Sequence, residues 1–442
     1  MEQSNKTIKP IVVILGSTGT GKTKLSLELG TRYGGEVISA DSMQVYKNLD
    51  IVTAKATKDE QKLVKHHMLD VTSIDQAFTV THFREQALPI IDSLLADERI
   101  PIIVGGTNYY IESLLWQILI SDGVKRTTEL THCMCIGISA LKTVSSTCGG
   151  PLMVKSSSRQ RTALEVYVES GGTQTMSQML AAQRAAPGAS RLGGSLRYRN
   201  VVMLWLQCEQ ETLDKRLEVR VDSMVSQGLL TEIRAFYKSH VKPYDHCDYH
   251  KGVLQSIGFK EFAGYLERYD ADTDRMLLED GEPTLGSAPS EAARLMLADC
   301  LNNLKLVTKR YARRQLRWIR NRFLSNTGRE VPPIYALDTT DNDQWDANVL
   351  GRATAIIDAI VAGRAPPYTG ESKIVHQADG LATEKSFECQ ACQRVIVGEY
   401  QWQLHIRSKK HHMIMKNQHR RDISQVRTPC SVAGASVTKN LP

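Results

Sequence analysis

The sequence predicts an α/β fold, in which a parallel sheet carries a glycine-rich loop and is extended by a helical lobe and a small cysteine and histidine module. Three observations support this prediction. Short apolar runs alternate with helical stretches from residue 11 onward, which is typical of strands buried on both faces of a parallel sheet. Residues 212–322 show helical periodicity, interrupted by an acidic loop at 270–290. A cysteine pair and two histidines follow near the C-terminus.

The predicted strands are short and strongly apolar. Residues 11–15, 36–40 and 102–104 form the first three, with helical segments between them, and residues 201–206 form a fourth after a long insertion. A strand followed by a helix, over residues 333–361, is predicted to return to the same sheet. We therefore expect a sheet that is interrupted by insertions.

A glycine-rich loop follows the first strand directly and opens a helix. It fits the phosphate-loop pattern G-x-x-x-x-G-K-[ST] and comprises Gly16, Ser17, Thr18, Gly19, Thr20, Gly21, Lys22 and Thr23. In such a loop backbone N–H groups surround phosphate oxygens, Lys22 supplies a positive charge, and the Thr23 hydroxyl can ligate Mg²⁺. A plain strand-to-helix turn is the simpler alternative, but the context favours a pyrophosphate site. The loop alone is compatible with an ATPase, a kinase or an enzyme whose leaving group is pyrophosphate.

Polar residues follow the second and third predicted strands. They are Asp41, Ser42, Met43 and Gln44 after the second strand, and Gly105, Gly106 and Thr107 after the third. Because ligands bind beyond the carboxyl ends of parallel strands, we expect Asp41 and Thr107 to point into one pocket with the phosphate loop. The alternatives are a helix cap or Mg²⁺ ligand at Asp41 and a plain turn at the two glycines.

A basic stretch ends the helical lobe. Residues 303–322 contain no acidic residue, and an apolar face recurs at helical spacing at Leu304, Val307, Tyr311 and Trp318. This leaves a set of arginines that we expect to face nucleic-acid phosphates, namely Arg310, Arg313, Arg314, Arg317 and Arg320. A solvated helix face is the alternative, since charge runs commonly have no partner.

Near the C-terminus, the spacing Cys-x2-Cys-x12-His-x5-His predicts a Cys₂His₂ zinc finger. The ligands are Cys389, Cys392, His405 and His411, with His412 as a rival for the last position. Trp402 and Leu404 are expected to form its small core. Four protein ligands close a zinc site, so the predicted Zn²⁺ is structural and not catalytic.

Composition narrows the class of protein. The chain has 442 residues and a net charge of +7. Its nine cysteines are odd in number and show no disulfide framework, so we expect a reducing compartment and no disulfides. No apolar run reaches the roughly 20 residues of a membrane span, and the N-terminus is too short and polar for a secretory signal. We expect a soluble monomer that does not bind membranes and lies in the cytoplasm, with mitochondria and nucleus left open.

Three of these runs, in this order, resemble the tRNA dimethylallyltransferase (isopentenyltransferase) family. They are the phosphate loop, the Ser-Ala-Asp-Ser-x-Gln-Val-Tyr run from residue 39, and the Gly-Gly-Thr-x-x-Tyr run from residue 105. The resemblance covers residues 10–120 and 160–325, including 308–315 of the basic stretch, and the zinc finger resembles the eukaryotic branch. It implies a phosphate-loop parallel sheet core with a helical insertion lobe and a small C-terminal zinc finger.

The resemblance also implies an activity: transfer of a dimethylallyl group from dimethylallyl pyrophosphate to N6 of an adenine next to the anticodon in tRNA, with release of pyrophosphate. By position, Asp41 would accept a proton from adenine N6 and Thr107 would assist at the reacting centre. Residues 41–44 would contact the target nucleotide, and the five arginines with Gln315 would contact tRNA. Mg²⁺ would stabilise the leaving pyrophosphate. The alternatives are a phosphate-loop small-molecule or nucleoside kinase and a non-catalytic RNA-binding protein.

The predicted organisation follows the chain. Residues 8–120 form the first part of the catalytic core, 121–198 an insertion, 199–211 a core strand, 212–326 the helical tRNA-binding lobe, 327–362 the return to the core, 363–386 a linker, 387–416 the zinc finger and 417–442 a basic, disordered tail. Residues 121–158 depart from the family, whose His-Pro-x-Asp-x-Arg run is missing there. A divergent insertion and an altered reading frame both stay open, and with them the activity of the chain.

Overall fold

The computed structural model of the protein describes residues 9–117, 194–243, 252–278, 291–325, 329–372 and, except for 393, 398, 409 and 410, residues 386–416. Residues 173, 178 and 249 are described singly. Described residues between 9 and 117 and between 194 and 372 belong to one compact unit, and those from 386 to 416 belong to a second. The divergent passage 121–158 and the predicted tail 417–442 lie outside the described residues.

Six strands of the first unit form one parallel sheet. They are β1 Ile11–Gly16, β2 Glu36–Ser39, β3 His66–His67, β4 Pro101–Val104, β5 Val201–Gln207 and β6 Ile334–Asp338. Their order across the sheet is β3-β2-β4-β1-β5-β6. The five predicted strands are confirmed. The sequence prediction lacks β3, because Lys65 and the two histidines separate Val64 from Met68 and so leave no apolar run.

Strand β1 is central because both of its faces are apolar. All six of its residues are buried, and Val13 pairs with Ile103 of β4 on one side and with Met203 of β5 on the other. Its side chains contribute alternately to two apolar clusters, with Val13 in one and Ile14 in the other. Helices therefore cover both faces of the sheet, as expected for a parallel sheet.

Ten helices are described in this unit, and short 3₁₀ turns lie at Gly252–Gln255 and Lys260–Phe262. The helices are α1 Lys22–Tyr33, α2 Lys58–Leu63, α3 Val80–Ala96, α4 Asn108–Leu115, α5 Gln210–Ser226, α6 Leu229–His240, α7 Ala263–Arg268, α8 Ala271–Leu278, α9 Glu291–Trp318 and α10 Gly351–Val361. Wider π-helical turns follow α9 at Ile319–Leu324 and precede α10 at Asp346–Leu350. Among the described helices, none has the length and apolar character needed to cross a membrane.

Helices α5 to α9 form the predicted helical lobe, and a buried ion pair ties its middle together. The guanidinium of Arg234 donates to both carboxylate oxygens of Asp274, at 2.5 and 2.8 Å, and the Tyr265 hydroxyl donates to the same carboxylate at 2.8 Å. Asp274 lies on α8, within the stretch 270–290 predicted as an acidic loop. That prediction is wrong for Ala271–Leu278, since a carboxylate facing a buried arginine stabilises helix there.

The chain returns to the sheet as predicted, through β6 and α10. The segment after α10 continues along the core, because the Glu371 backbone N–H donates to the Ile334 carbonyl at 2.7 Å and Arg352 lies 4.7 Å from the Tyr368 ring centroid. Residues 363–372, predicted as the start of a linker, therefore contact the core. Residue 372 is the last one described before the gap.

The described part of the second unit is a small hairpin with one helix. Strand β7 Ser386–Cys389 pairs antiparallel with β8 Arg394–Val397, and helix α11 follows at Glu399–Ile406. The rings of Phe387 and Trp402 stack with centroids 5.3 Å apart, which confirms Trp402 as a core residue. The same expectation for Leu404 is wrong, since its side chain is 49% exposed.

Candidate active site

A cavity of about 670 Å³ lies at the carboxyl ends of β1, β2 and β4, where the sequence predicts a ligand site. Its wall combines the phosphate loop, the polar run 41–44 and the glycine pair that follows β4. Helices α5 and α9 contribute Arg216, Arg220, Thr308, Tyr311, Arg314 and Gln315. The core and the helical lobe therefore build one site together.

The phosphate loop takes its shape from glycines and from an internal hydrogen bond. Gly19 and Gly21 have φ angles of 85° and 86°, a conformation that L side chains rarely adopt. Lys22 Nζ donates to the Ser17 carbonyl at 2.8 Å. Burial and then the charge of Arg220 lower the pKa of Lys22 to about 8, although Asp41 opposes this shift. Two neighbouring cations, one of which lowers the pKa of the other, are typical of a site for an anion.

Asp41 follows β2 and lines the cavity. Its Oδ1 accepts a hydrogen bond from the Met43 backbone N–H at 2.9 Å. Burial raises the pKa of Asp41, while that N–H and the charge of Lys22 limit the rise. A carboxylate whose pKa is raised accepts a proton more readily than an exposed one, which is the property required of a general base.

Thr107 lies beside this run but does not line the cavity. Its Oγ1 accepts from the Ser42 backbone N–H at 3.0 Å and donates to Ser42 Oγ at 3.1 Å. The Thr107 backbone N–H donates to the Ala40 carbonyl at 3.0 Å. The structure thus places Asp41 in the cavity as expected. The expectation that Thr107 also points into it is wrong, because the Thr107 hydroxyl is bound to Ser42.

Gln44 lines the cavity, but its side-chain amide is hydrogen-bonded to other residues of the protein. Its Nε2 donates to the carbonyls of Thr53 and Ala54 at 3.2 and 3.1 Å, and its Oε1 accepts from Ser39 Oγ at 2.7 Å. Glu232 of α6 supports the same loop by accepting from the backbone N–H groups of residues 51 and 52 at 2.8 and 2.9 Å. Gln44 therefore fixes the loop after β2, and its predicted contact with a nucleotide stays a prediction.

Gln315 joins the phosphate loop to the glycine pair after β4. Its Oε1 accepts from the Thr18 backbone N–H at 2.9 Å, and its Nε2 donates to the Gly106 carbonyl at 2.8 Å. The Tyr311 hydroxyl donates to the same carbonyl at 3.2 Å. Gln315 is only 3% exposed, so this bridge replaces the hydrogen bonds of water at the buried backbone groups.

Arg220 is a site residue that the sequence analysis missed. It is half-buried on α5, lines the cavity and interacts electrostatically with Lys22 and Asp41. Burial lowers its pKa, and the Asp41 charge raises it. A local signal was present, because an arginine at 220 adjoins the apolar stripe of Leu213, Leu217 and Val221, where an unpaired cation is costly.

The basic stretch is less one-sided in the fold than in the sequence. Three of its cations pair with carboxylates spaced by four residues on α5: Lys305 with Asp222 at 2.6 Å, Lys309 with Glu218 at 2.5 Å, and Arg313 with Asp214 at 2.8 Å. Arg314 lines the cavity and lies 5.7 Å from the Tyr311 ring centroid. Arg310, Arg317 and Arg320 are exposed, and no described carboxylate forms an ion pair with them.

The second unit brings the predicted zinc ligands together. Ligand atoms of Cys389, Cys392, His405 and His411 all lie within 4.8 Å of one another. The two Sγ atoms are 3.6 and 3.3 Å from His411 Nδ1. Tetrahedral Zn²⁺ with bonds of about 2.0 to 2.3 Å requires ligand separations of about 3.3 to 3.8 Å, and the two separations from His411 fall in this range. The rival His412 instead contacts the Ser408 carbonyl through Nδ1 at 3.1 Å.

Comparison with known proteins distinguishes between the enzymes that this site could serve. The sequence model of the IPP transferase family matches residues 44–322. A mouse protein named tRNA dimethylallyltransferase is 39% identical over 438 residues, covering 94% of this chain and 88% of the relative. The chain belongs to the IPP transferase family. The resemblance stated from the sequence is thereby confirmed.

Further matches include eukaryotic members of the family. The human tRNA dimethylallyltransferase is 38% identical over 434 residues, with 95% of this chain and 88% of the relative covered. A crystallised eukaryotic dimethylallyltransferase acting on tRNA has a TM-score of 0.69 at 26% identity, covering 95% of this chain and 100% of that chain. A zinc-finger model described as double-stranded RNA-binding matches residues 386–411. These matches favour the prenyltransferase over the kinase and the non-catalytic alternatives.

Proposed function

We propose that this chain transfers a dimethylallyl group from dimethylallyl pyrophosphate to N6 of an adenine next to the anticodon in tRNA, releasing pyrophosphate. The observation that carries the proposal is the placement of Asp41 in one cavity with the phosphate loop and Arg220. A base and an anion site that share one cavity can act on the two ends of one transfer reaction. Family membership supports the choice of a prenyl group over a phosphoryl group.

In the transfer step, the bond from C1 of the dimethylallyl group to pyrophosphate oxygen breaks while the bond from N6 to C1 forms. The N6 amine is a weak nucleophile, because its lone pair is delocalised into the adenine ring. Asp41 accepts the proton that N6 loses, and its raised pKa matches this task. Thr107 forms two hydrogen bonds with Ser42, the residue after Asp41, and so fixes the direction of the Asp41 carboxylate.

The leaving pyrophosphate gains negative charge as the C–O bond breaks. Backbone N–H groups of the phosphate loop, Lys22 and Arg220 are arranged to stabilise that charge. Thr23 is exposed to the cavity and offers a hydroxyl oxygen, a ligand type that Mg²⁺ prefers. Mg²⁺ bound there would neutralise part of the pyrophosphate charge, with Thr23 as its protein ligand.

The tRNA is expected to approach over α9. Arg314 reaches the cavity from this helix, and the exposed Arg310, Arg317 and Arg320 lie on the same basic stretch. Arginine side chains without a carboxylate partner are available for phosphate oxygens, whereas Arg313 must first leave Asp214. We therefore rank Arg313 below the other four as a contributor to tRNA affinity.

Incubation with a donor labelled in its prenyl group tests the proposal. With Mg²⁺ and tRNA, the label should appear in the tRNA and, after nuclease digestion, in N6-dimethylallyladenosine. A tRNA with guanine at the target position is the matched control and should stay unlabelled. Transfer of phosphate from labelled ATP, or absence of prenyl transfer to any tRNA, would contradict the proposal. The same result shows whether this chain is active although its residues 121–158 diverge from the family.

Removal of the zinc finger is expected to weaken tRNA binding without ending catalysis. A chain truncated before Ser386 should keep kcat but show a higher KM for tRNA, because a four-ligand zinc site has no open position for substrate. The truncation also removes Arg407 and Lys416, which are exposed on the finger and can neutralise phosphates in the full-length chain. The slope of log affinity against log salt should therefore be less steep by about 1 to 2 in the truncated chain.

The full-length Cys392→Ser variant controls for chain length. It loses one ligand of the cluster and should reproduce the higher tRNA KM and the shallower salt slope of the truncated protein. Binding of tRNA is measured by filter retention from low to high salt for the three proteins. Equal slopes for all of them would show that the finger makes no contact with RNA phosphates.

A further inference from the structure

The phosphate loop is in contact with two elements that are distant from it in sequence. A Cβ placed on Gly19 would lie 2.7 Å from Leu217 of α5, and one placed on Gly21 would lie 2.8 Å from the Trp345 ring. No side chain fits at these distances, so the backbone of the loop packs directly against both neighbours. Trp345 belongs to the segment between β6 and α10.

Trp345 also contacts α1, the helix that the phosphate loop opens. Its indole is 4% exposed, and Nε1 donates to Glu28 Oε2 at 2.8 Å. Lys24 Nζ lies 4.3 Å from the ring centroid, within the range of a cation–π interaction. One side chain thus contacts Gly21 and the first two turns of α1. These are the elements that place Lys22.

The start of the same segment is fastened to α5. Arg216 donates through Nη1 to the Thr339 carbonyl at 2.7 Å, and through Nη2 to the Thr340 carbonyl at 3.0 Å and to Asn342 Oδ1 at 2.8 Å. The guanidinium fork is planar and rigid, so these three bonds fix α5 relative to the segment. Arg220, one turn after Arg216 on α5, lines the cavity with Lys22.

We infer that residues 339–345 are a positioning element for the pyrophosphate site, with Trp345 holding the phosphate loop and Arg216 holding α5 on the same segment. The segment thereby sets the separation between Lys22 and Arg220. Trp345 does not line the cavity, so it acts through Gly21 and α1 and is not a catalytic residue. The inference rests on the proposed function for the identity of the anion.

Binding of inorganic pyrophosphate with Mg²⁺, measured by calorimetry on the full-length chain, tests this inference without prenyl transfer. Trp345→Ala should weaken binding about tenfold or more, because a misplacement on the order of 1 Å in a positioned group is already costly. Trp345→Phe keeps a ring beside Gly21 but loses the hydrogen bond to Glu28, so about a threefold loss is expected. The KM for dimethylallyl pyrophosphate should rise in the same order, with the KM for tRNA unchanged.

Ile357→Ala is the matched control for lost core packing. Ile357 is fully buried in the same apolar cluster as Trp345, so its truncation also lowers the melting temperature. Pyrophosphate affinity should stay at the wild-type value in Ile357→Ala. The inference is overturned if both Trp345 variants bind pyrophosphate as the wild type does, or if Ile357→Ala loses as much affinity as they do. Absence of binding by the wild type would overturn the pyrophosphate site of the proposed function itself, whereas wild-type binding without transfer to tRNA would contradict only the reaction.

Discussion

Replacement of Asp41 by asparagine is expected to lower kcat by about 10²-fold or more, the scale of a lost general base. Asparagine keeps the size of the side chain and an oxygen that can accept from the Met43 N–H, but it cannot take a proton from adenine N6. Binding of donor and tRNA should change little. Single-turnover transfer with both substrates saturating measures the chemical step directly.

The same substitution should leave the fold intact. Burial raises the pKa of Asp41, so its ionised form is less favourable in the folded protein than in the unfolded chain. That unfavourable contribution is present above the raised folded pKa and disappears as the pH falls below the unfolded pKa. At neutral pH, Asp41→Asn is therefore expected to keep or raise the melting temperature while activity is lost. A melting temperature that falls in step with activity would instead attribute the loss to misfolding.

The pH dependence provides a second measurement on Asp41. Since proton transfer requires the carboxylate, activity of the wild type should fall as the pH drops through the raised pKa of Asp41. The residual activity of Asp41→Asn should lack this acidic limb. Asp92→Asn, the same change at an exposed aspartate, is the control and should retain both the rate and the limb. An acidic limb unchanged in Asp41→Asn would remove this residue from the mechanism.

Loss of the two cavity cations is the second large effect that we expect. Lys22→Ala and Arg220→Ala should each raise the KM for dimethylallyl pyrophosphate by about tenfold to a hundredfold, because a hydrogen bond to a charged group contributes about 1.5 to 3 kcal/mol. The double variant should lose more than the sum of the two free energies, because each single loss is partly compensated. Each cation destabilises the other, and the removal of one relieves the remaining one.

The charge of Lys22 also gives a testable pH dependence. Because its pKa is lowered to about 8, the free protein loses this cation as the pH rises through that value. The wild-type KM for the donor should rise accordingly above pH 8, and the KM of Lys22→Ala should not. Arg32→Ala removes an equal charge from the last turn of the same helix and serves as the control. A donor KM unchanged in Lys22→Ala would refute the assignment of the phosphate loop to pyrophosphate.

Local sequence patterns predicted the parts of this site that are contiguous in the chain. The phosphate loop is one run of eight residues between a strand and a helix, and its chemistry resides largely in its own backbone. Asp41 could be placed because the carboxyl ends of parallel strands meet at one edge of a sheet. The four zinc ligands followed from spacing, since a metal ion requires a fixed geometry of its ligands.

Tertiary structure alone decided which residues act on these parts from a distance. Gln315 reaches Thr18 across 297 positions, and the indole of Trp345 contacts Glu28 across 317. The sequence also could not predict that carboxylates of α5 neutralise part of the basic stretch, because the paired residues on α9 lie far from them in the chain. The structure also confirms the predicted ligand His411 over its rival His412, because the His411 ring is the one turned towards the two Sγ atoms. Sequence periodicity reports which face of an element is buried, whereas these contacts depend on which elements meet, and that is determined only when the whole core packs.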